Sequence, residues 1–500
     1  MRFYRAAALL TITAMLGACG SKVVNPVTGR SERSVMDEST EIAEGRKAHQ
    51  QVLQEYTALA DPRLQAYVNA LGQRLARQSE RAHLNWTFTV LDSAEINAFA
   101  LPGGYIYITR GIMAYLDSEA ELAGVLGHEI GHVTARHGAQ RATRQQNAGL
   151  GVLAATVLGA VLESRGVGGA TDIASQVSQT AAAGYIASYG RDQELQADRL
   201  GANYLVRTQY NPQNMVDVIG VLKAQERFAA DNARAAGGKT STAPSWLASH
   251  PSNDQRLAEI RQIAASLPAV TGQYADDGRA RYLQAIAGIG FGDSREQGVV
   301  RGRQFFHEPL GIAMTAPPGW HVQNSTDAIA LISDAGDAGL IVRLLPANAG
   351  RTHEEVIRNV VKPSDGRVER RQLNGLPATH FSGVVRNAQG QGQAVRVTVV
   401  SGPQDRLYLL QYAARDDQAA QRATVALQTG EASFRALSAA DRDAARPWRL
   451  KTTPFPRGGF AELARLSPLP APAEPALRLL NGLYGGGTEP RSGQTVKTVD

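Results

Sequence analysis

The sequence predicts an α+β fold in three parts: a mainly helical domain with a small β-sheet, an α+β accessory domain, and a small carboxy-terminal module. Three observations predict it. Leu122, Val125, Leu126, Ile130 and Val133 recur at helical spacing in a region of similar helical stretches. From about Gln304 the pattern changes to short apolar or alternating runs between turn residues. Finally, Arg446-Pro447 sets off a last segment that the proline- and alanine-rich stretch 468–475 interrupts. A chain of 500 residues has room for about three domains, and 43% hydrophobic with 20% charged residues is an ordinary globular composition. The net charge of +6 is spread along the chain. No basic and aromatic cluster argues for nucleic acid, and the surplus suits an acidic envelope surface.

At the amino terminus, Arg2 and Arg5 precede an apolar run from Ala6 to Leu16 that is too short to span a bilayer comfortably. Leu16-Gly17-Ala18-Cys19 follows, the pattern of a secretory signal ending in a lipobox. Residues 1–18 are thus expected to be a lipoprotein signal peptide, Cys19 the lipidated first residue of the mature chain, and 19–38 a tether. Cys19 is the only cysteine, so it has no intramolecular disulfide partner. Two or more acyl chains suffice for stable anchoring. Gly20 and Ser21, with no aspartate directly after Cys19, resemble lipoproteins sorted to the outer membrane, which places the rest of the chain in the periplasm.

The first domain is expected over 39–290. Asp61 caps a helix that opens on Pro62 and carries an apolar stripe of Leu64, Val68, Leu71 and Leu75. A strand from Trp86 to Leu91 follows, then a turn at Pro102-Gly103-Gly104 and a second strand, Tyr105 to Ile108, placed to pair with an extended peptide. Ser118 is the expected cap of the next helix, with Glu121 completing a capping box. Inside that helix lies His128-Glu129-Ile130-Gly131-His132. Residues four apart share a helix face, so His128 and His132 can reach one metal ion, while Glu129 projects beside it as a base for metal-bound water. The alternative is two surface histidines. Zinc hydrolases usually supply three protein ligands, and Glu194 can be the third. Asp198, four residues on, can accept a hydrogen bond from a ligating imidazole. Between these motifs, the small-residue apolar run Ala148 to Leu162 reads as a packed or partly exposed helix that is short for a membrane span.

Taken together, Asn97 to Gly104, the His128 to His132 motif followed by Val133 and His137, and Glu194-x-x-Ala197-Asp198 resemble the HtpX/CAAX-prenyl-protease family of zinc peptidases, in particular its BepA-like periplasmic lipoprotein branch. The resemblance covers roughly Ser39 to Leu267. It implies a gluzincin-type domain holding one Zn2+ per chain on His128, His132 and Glu194, with Glu129 as general base. Gly190 departs from the family, which often carries serine there. Ser249-His250-Pro251 through Arg256 matches a His-Pro-x-x-x-x-Arg signature near the active site of these enzymes. Two roles stay open for His250: it stabilises the oxyanion, or it occupies the open zinc position and silences the resting enzyme. Arg256 is expected to orient nearby acids. The stretch 235–243 has the small, polar composition of a loop.

The accessory domain is expected over 304–440, with strands at 311–314, 339–342, 394–399 and 407–410 and helices at 352–360 and 417–428. It carries no metal or acid-base constellation, so a surface for substrates or partners is expected. Residues 445–500 resemble a degenerate LysM module, a peptidoglycan-binding fold, although the opening strand around Arg449 to Arg457 is poorly matched. The function implied is cleavage of misfolded or stalled envelope proteins at the outer membrane. The alternative is an envelope assembly factor or chaperone in which proteolysis is secondary. Expected partners are envelope protein substrates, the membrane through Cys19, outer-membrane assembly machinery and peptidoglycan.

Overall fold

Helices in the first part of the chain begin where the sequence supplies a cap. In this computed structural model the described residues are 21–144, 146, 189–235, 250, 254–267, 276–324, 328–386 and 391–500. The expected signal peptide, Cys19 and the run 148–162 lie outside them. A hairpin of β1 (Ser21–Val24) and β2 (Ser31–Ser34) comes first. Asp37 then caps α1 (Glu38–Glu55), accepting from the Thr40 amide at 2.8 Å. Asp61 caps α2 (Pro62–Ala76), whose Leu64, Val68, Leu71 and Leu75 are buried.

Three strands follow: β3 (Thr87–Leu91), β4 (Ala98–Leu101) and β5 (Tyr105–Thr109). Their order is β3-β5-β4, with β5 parallel to β3 and antiparallel to β4. This corrects one expectation. The strand Tyr105 to Ile108 is central and both its edges are paired, so it cannot accept an added strand. The outer edge of β4 has no strand partner among the described residues.

A short helix, α3 (Arg110–Tyr115), leads to α4 (Glu119–Thr134), the motif helix, which is buried along its whole length. Ser118 Oγ accepts from the Glu121 amide at 3.1 Å. The Glu121 carboxylate reaches one residue further back than in a standard capping box, to the Asp117 amide at 2.7 Å. After the chain returns, α5 (Arg191–Arg207) packs against α4, followed by α6 (Gln213–Ala235), α7 (Asp254–Ser266) and α8 (Arg279–Ile286). The crossing of α4 and α5 is close because it is lined by small residues. A Cβ on Gly131 would stand 2.9 Å from the Ala197 carbonyl oxygen, and one on Gly201 would stand 3.0 Å from the His128 nitrogen.

The described chain forms two compact units, one up to Ile289 together with Leu450–Asp500, the other Gly290–Arg449. The carboxy-terminal segment therefore belongs with the motif helix, where three separate parts had been expected. Its strand Trp448–Pro454 runs antiparallel to Thr495–Val499, and helices Gly459–Leu466 and Ala473–Leu480 lie between them in sequence. The reason for the merger is specific. Lys497 is fully buried and its ammonium donates to the carbonyls of Ala114 (3.0 Å) and Leu116 (2.6 Å), just before α4. Tyr484 also donates to Asp231 on α6 at 2.6 Å.

The second unit, Gly290–Arg449, contains a seven-stranded antiparallel sheet with Trp320–Asn324 at one edge and Asp365–Leu373 at the other, and helix Asp417–Ala432 packs on it. The expected strands and helices in this unit are present, as Ile312–Thr315, Ala338–Leu344, Gly392–Ser401 and Leu407–Ala414, and as His353–Val356 and Asp417–Ala432. The hairpin of Asp365–Leu373 and Leu376–Arg386 was not foreseen. Its edge strand is exposed and arginine-rich, so it lacks apolar alternation. No helix among the described residues is long and apolar enough to cross a membrane.

Candidate metal centre

The helix crossing brings the three predicted metal ligands and His250 together. His128 and His132 project from α4, Glu194 comes from the first turn of α5, and His250 enters from the segment before α7. Their nearest nitrogen and oxygen atoms all lie within 4.8 Å of one another. Each of these four residues, and Glu129, Asp198 and Arg256, is at most 1% exposed.

The spacing of these donors fits a metal ion. His128 Nε2 is 2.9 Å from His132 Nε2, 3.2 Å from His250 Nδ1 and 3.6 Å from Glu194 Oε2. Glu194 Oε1 is 3.4 Å from His132 Nε2 and 3.0 Å from His250 Nδ1. Ligands about 2.0–2.1 Å from a tetrahedral zinc ion are about 3.3 Å apart, so these separations bracket the required edge. The chemistry of the donors agrees with the spacing. His128 Nδ1 lies 2.8 Å from the Asp198 carboxylate, which keeps its proton on Nδ1 and leaves Nε2 bare toward the centre.

Arg256 ties the acids together. Its Nε and NH2 atoms donate to the two oxygens of Asp198, each at 2.8 Å, and NH1 is 2.8 Å from Glu194 Oε2. NH1 also donates to the His250 carbonyl at 3.0 Å. His250 Nε2 is 3.5 Å from Glu129 Oε1. Burial drives the Glu194 carboxyl upward, yet His250 and His132 outweigh it and hold it well below the usual carboxylate range. At Asp198 burial is likewise outweighed, by Arg256 and His128, and the net shift is downward. Burial pushes His132 well below its ordinary value, whereas His250 is raised because Glu194 and Glu129 overcome its burial.

Four neighbours, His137, Gln196, Tyr189 and Arg141, were not singled out from sequence as site residues. His137 Nδ1 is 2.9 Å from His132 Nδ1, and His137 Nε2 is 3.0 Å from the Gln196 side-chain oxygen. Tyr189 stacks on His132 with ring centroids 3.9 Å apart, and the Arg141 guanidinium sits 5.3 Å from the Tyr189 centroid. Tyr189 directly precedes Gly190, the cap of α5, which was the available signal. Among the described residues, a Cβ on Gly190 would meet nothing nearer than Gln193 Oε1 at 3.7 Å, which leaves room there for the serine often found in the resembled family.

Comparison with known proteins agrees with the geometry. Residues 62–264 match the model of peptidase family M48. The chain is 31% identical over 243 residues to the beta-barrel assembly-enhancing protease of Yersinia pestis, covering 48% of this chain and 47% of that protein. It is 30% identical over 256 residues to the protein of the same name from Escherichia coli K12, covering 50% and 49%. The mitochondrial metalloendopeptidase OMA1 of Schizosaccharomyces pombe is 24% identical over 243 residues, covering 47% and 65%. The chain spans about half the length of the beta-barrel assembly-enhancing proteases it matches. The motif helix and the crossing helix with its Glu194 both fall inside residues 62–264, the segment that matches the peptidase family M48 model.

Proposed function

We propose that this chain is a zinc-dependent endopeptidase acting on misfolded or stalled proteins of the cell envelope, held at the periplasmic side of the outer membrane through Cys19. The observation that carries the peptidase activity is the convergence of His128, His132 and Glu194 with Glu129 beside them, all buried. The names of the M48 relatives support the envelope setting. His128, His132 and Glu194 would hold one zinc ion, which would supply Lewis acidity toward a scissile carbonyl and a bound water.

The chain's own residues do the rest. Glu129 accepts the proton of the attacking water and returns it to the leaving amine. Asp198 holds the His128 tautomer, and Arg256 pairs with both Asp198 and Glu194 at their buried positions. The open edge of β4 can pair with an extended substrate backbone, a grip that tolerates many sequences.

His250 is read here as the residue that closes the centre at rest. Its Nδ1 lies 3.2 Å from His128 Nε2 and 3.0 Å from Glu194 Oε1, which supports the silencing role. Productive substrate binding then requires His250 to leave. Casein digestion by His250→Ala tests this: a faster rate than wild type supports a plug, and a slower one supports oxyanion stabilisation.

The β–α–α–β order of residues 448–499 supports a LysM-like module with peptidoglycan as its ligand. Sedimentation of the full chain with purified peptidoglycan tests that, and no retention removes it. The unit Gly290–Arg449 is assigned to client proteins or outer-membrane assembly machinery. Full complementation of a deletion strain by Glu129→Gln would favour that binding role over proteolysis.

A further inference from the structure

A buried histidine beside the centre has no task in the mechanism above. His137 is fully buried and both its ring nitrogens are engaged, one toward His132 and one toward Gln196. The direction of the proton can be followed along this chain. A side-chain amide oxygen only accepts, so Gln196 Oε1, 3.0 Å from His137 Nε2, fixes the His137 proton on Nε2. A neutral His137 then offers a lone pair at Nδ1. That lone pair accepts from His132 Nδ1 at 2.9 Å, and the His132 proton is held on the outer nitrogen. His132 Nε2 is left bare where it stands 2.9 Å from His128 Nε2 and 3.4 Å from Glu194 Oε1. The opposite amide orientation would reverse the chain and put a proton on the metal face of His132.

The backbone is shaped to allow this contact. His137 is five residues beyond His132, and in an uninterrupted helix it would lie about 140° around the axis, facing away. Instead α4 ends at Thr134, and Arg136 adopts a left-handed conformation with φ 59°, uncommon for a residue with a side chain. Arg136 is held there by Glu41, which accepts from its Nε at 2.9 Å, and by the Met36 carbonyl, which accepts from NH2 at 2.8 Å. The next helical stretch starts at His137 itself, turned back onto the ligand.

We propose that His137 is a positioning residue: with Gln196 behind it, it fixes the tautomer and orientation of His132 so that Nε2 faces the metal. The two ligand histidines are then oriented differently, His128 by the charged Asp198 and His132 by a neutral imidazole–amide relay. This rests on the zinc reading above.

The test is the zinc dissociation constant of the full mature chain, measured by chelator competition for wild type, His137→Phe and His137→Asn. His137→Phe keeps a ring but removes the acceptor, and should weaken zinc binding about 10–100-fold. His137→Asn places Oδ1 near the former Nδ1 and should stay within about threefold of wild type. Thermal midpoints of the zinc-free forms separate a folding defect from a binding one. Should His137→Phe fail to fold, Gln196→Leu, which leaves His137 in place, should also weaken zinc binding several-fold. Wild-type affinity in His137→Phe and Gln196→Leu, or equal losses in the Phe and Asn variants, overturns the relay. Failure of the zinc reading shows earlier and separately, as a wild-type chain that holds no zinc.

Discussion

Gly131 and Ala197 meet backbone to backbone: a Cβ on the glycine would stand 2.9 Å from the alanine carbonyl oxygen and 3.1 Å from its Cα. This contact sets how near α5 can bring Glu194 to the motif histidines. Gly131→Val should push the helices apart at a cost of about 1–3 kcal/mol. Zinc affinity should fall with it. Urea denaturation and chelator competition on one preparation check both, and an unchanged affinity would mean that the crossing does not set the ligand geometry.

Arg256 is the cation between two buried acids, so removing it should cost more than removing the pair. In the zinc-free chain, Arg256→Met leaves Asp198 and Glu194 without their arginine and should destabilise by about 3–5 kcal/mol. Adding Asp198→Leu should recover part of that loss. Denaturant midpoints of the two single variants and the double variant measure the coupling.

Lys497 donates to two carbonyls in front of the motif helix, and its burial links the last strand to the unit that carries that helix. Lys497→Ala strands those acceptors and should cost about 3 kcal/mol. Lys497→Met keeps the apolar stem and should cost less. Thermal unfolding followed through the zinc site checks this; an unchanged midpoint would show that the terminal segment is independent.

In the second unit, burial, helped by Arg406, pushes His307 down to about 4 from an ordinary value of 6.5. Its Nδ1 accepts from the Leu310 amide at 3.2 Å. Between pH 6.5 and 4 the unfolded chain binds a proton that the folded chain does not. His307 therefore contributes full stability above pH 6.5, and that contribution is lost as the pH falls toward 4. His307→Asn, which keeps an acceptor but does not titrate, should flatten this part of the stability curve in urea titrations at successive pH values.

Much of the centre was legible because its geometry is local. His128 with His132 and Glu194 with Asp198 are each four residues apart, a spacing that puts both members on one helix face whatever the tertiary fold. The caps Asp61 and Ser118 were readable for the same reason. His137 was read only as part of the family resemblance and not as a site residue, since its offset of five points the wrong way unless Arg136 turns left-handed, and arginine gives no sign of that. The hairpin at Asn374-Gly375, with φ of 49° and 82°, carried a strong turn signal that its charged edge strand obscured. Nothing in the sequence around Lys497 marks it as buried, and only the packing of the last strand shows that it is.

The central claim, hydrolysis with Glu129 as base at a zinc site, is tested most directly by casein digestion with zinc-loaded His250→Ala and the double variant Glu129→Gln/His250→Ala. Both should hold one zinc ion per chain by elemental analysis. The single variant should cleave casein, and the double variant should be slower by at least about 100-fold. Equal cleavage by the two, or none by a zinc-loaded His250→Ala chain that is also silent with His250 present, would contradict it.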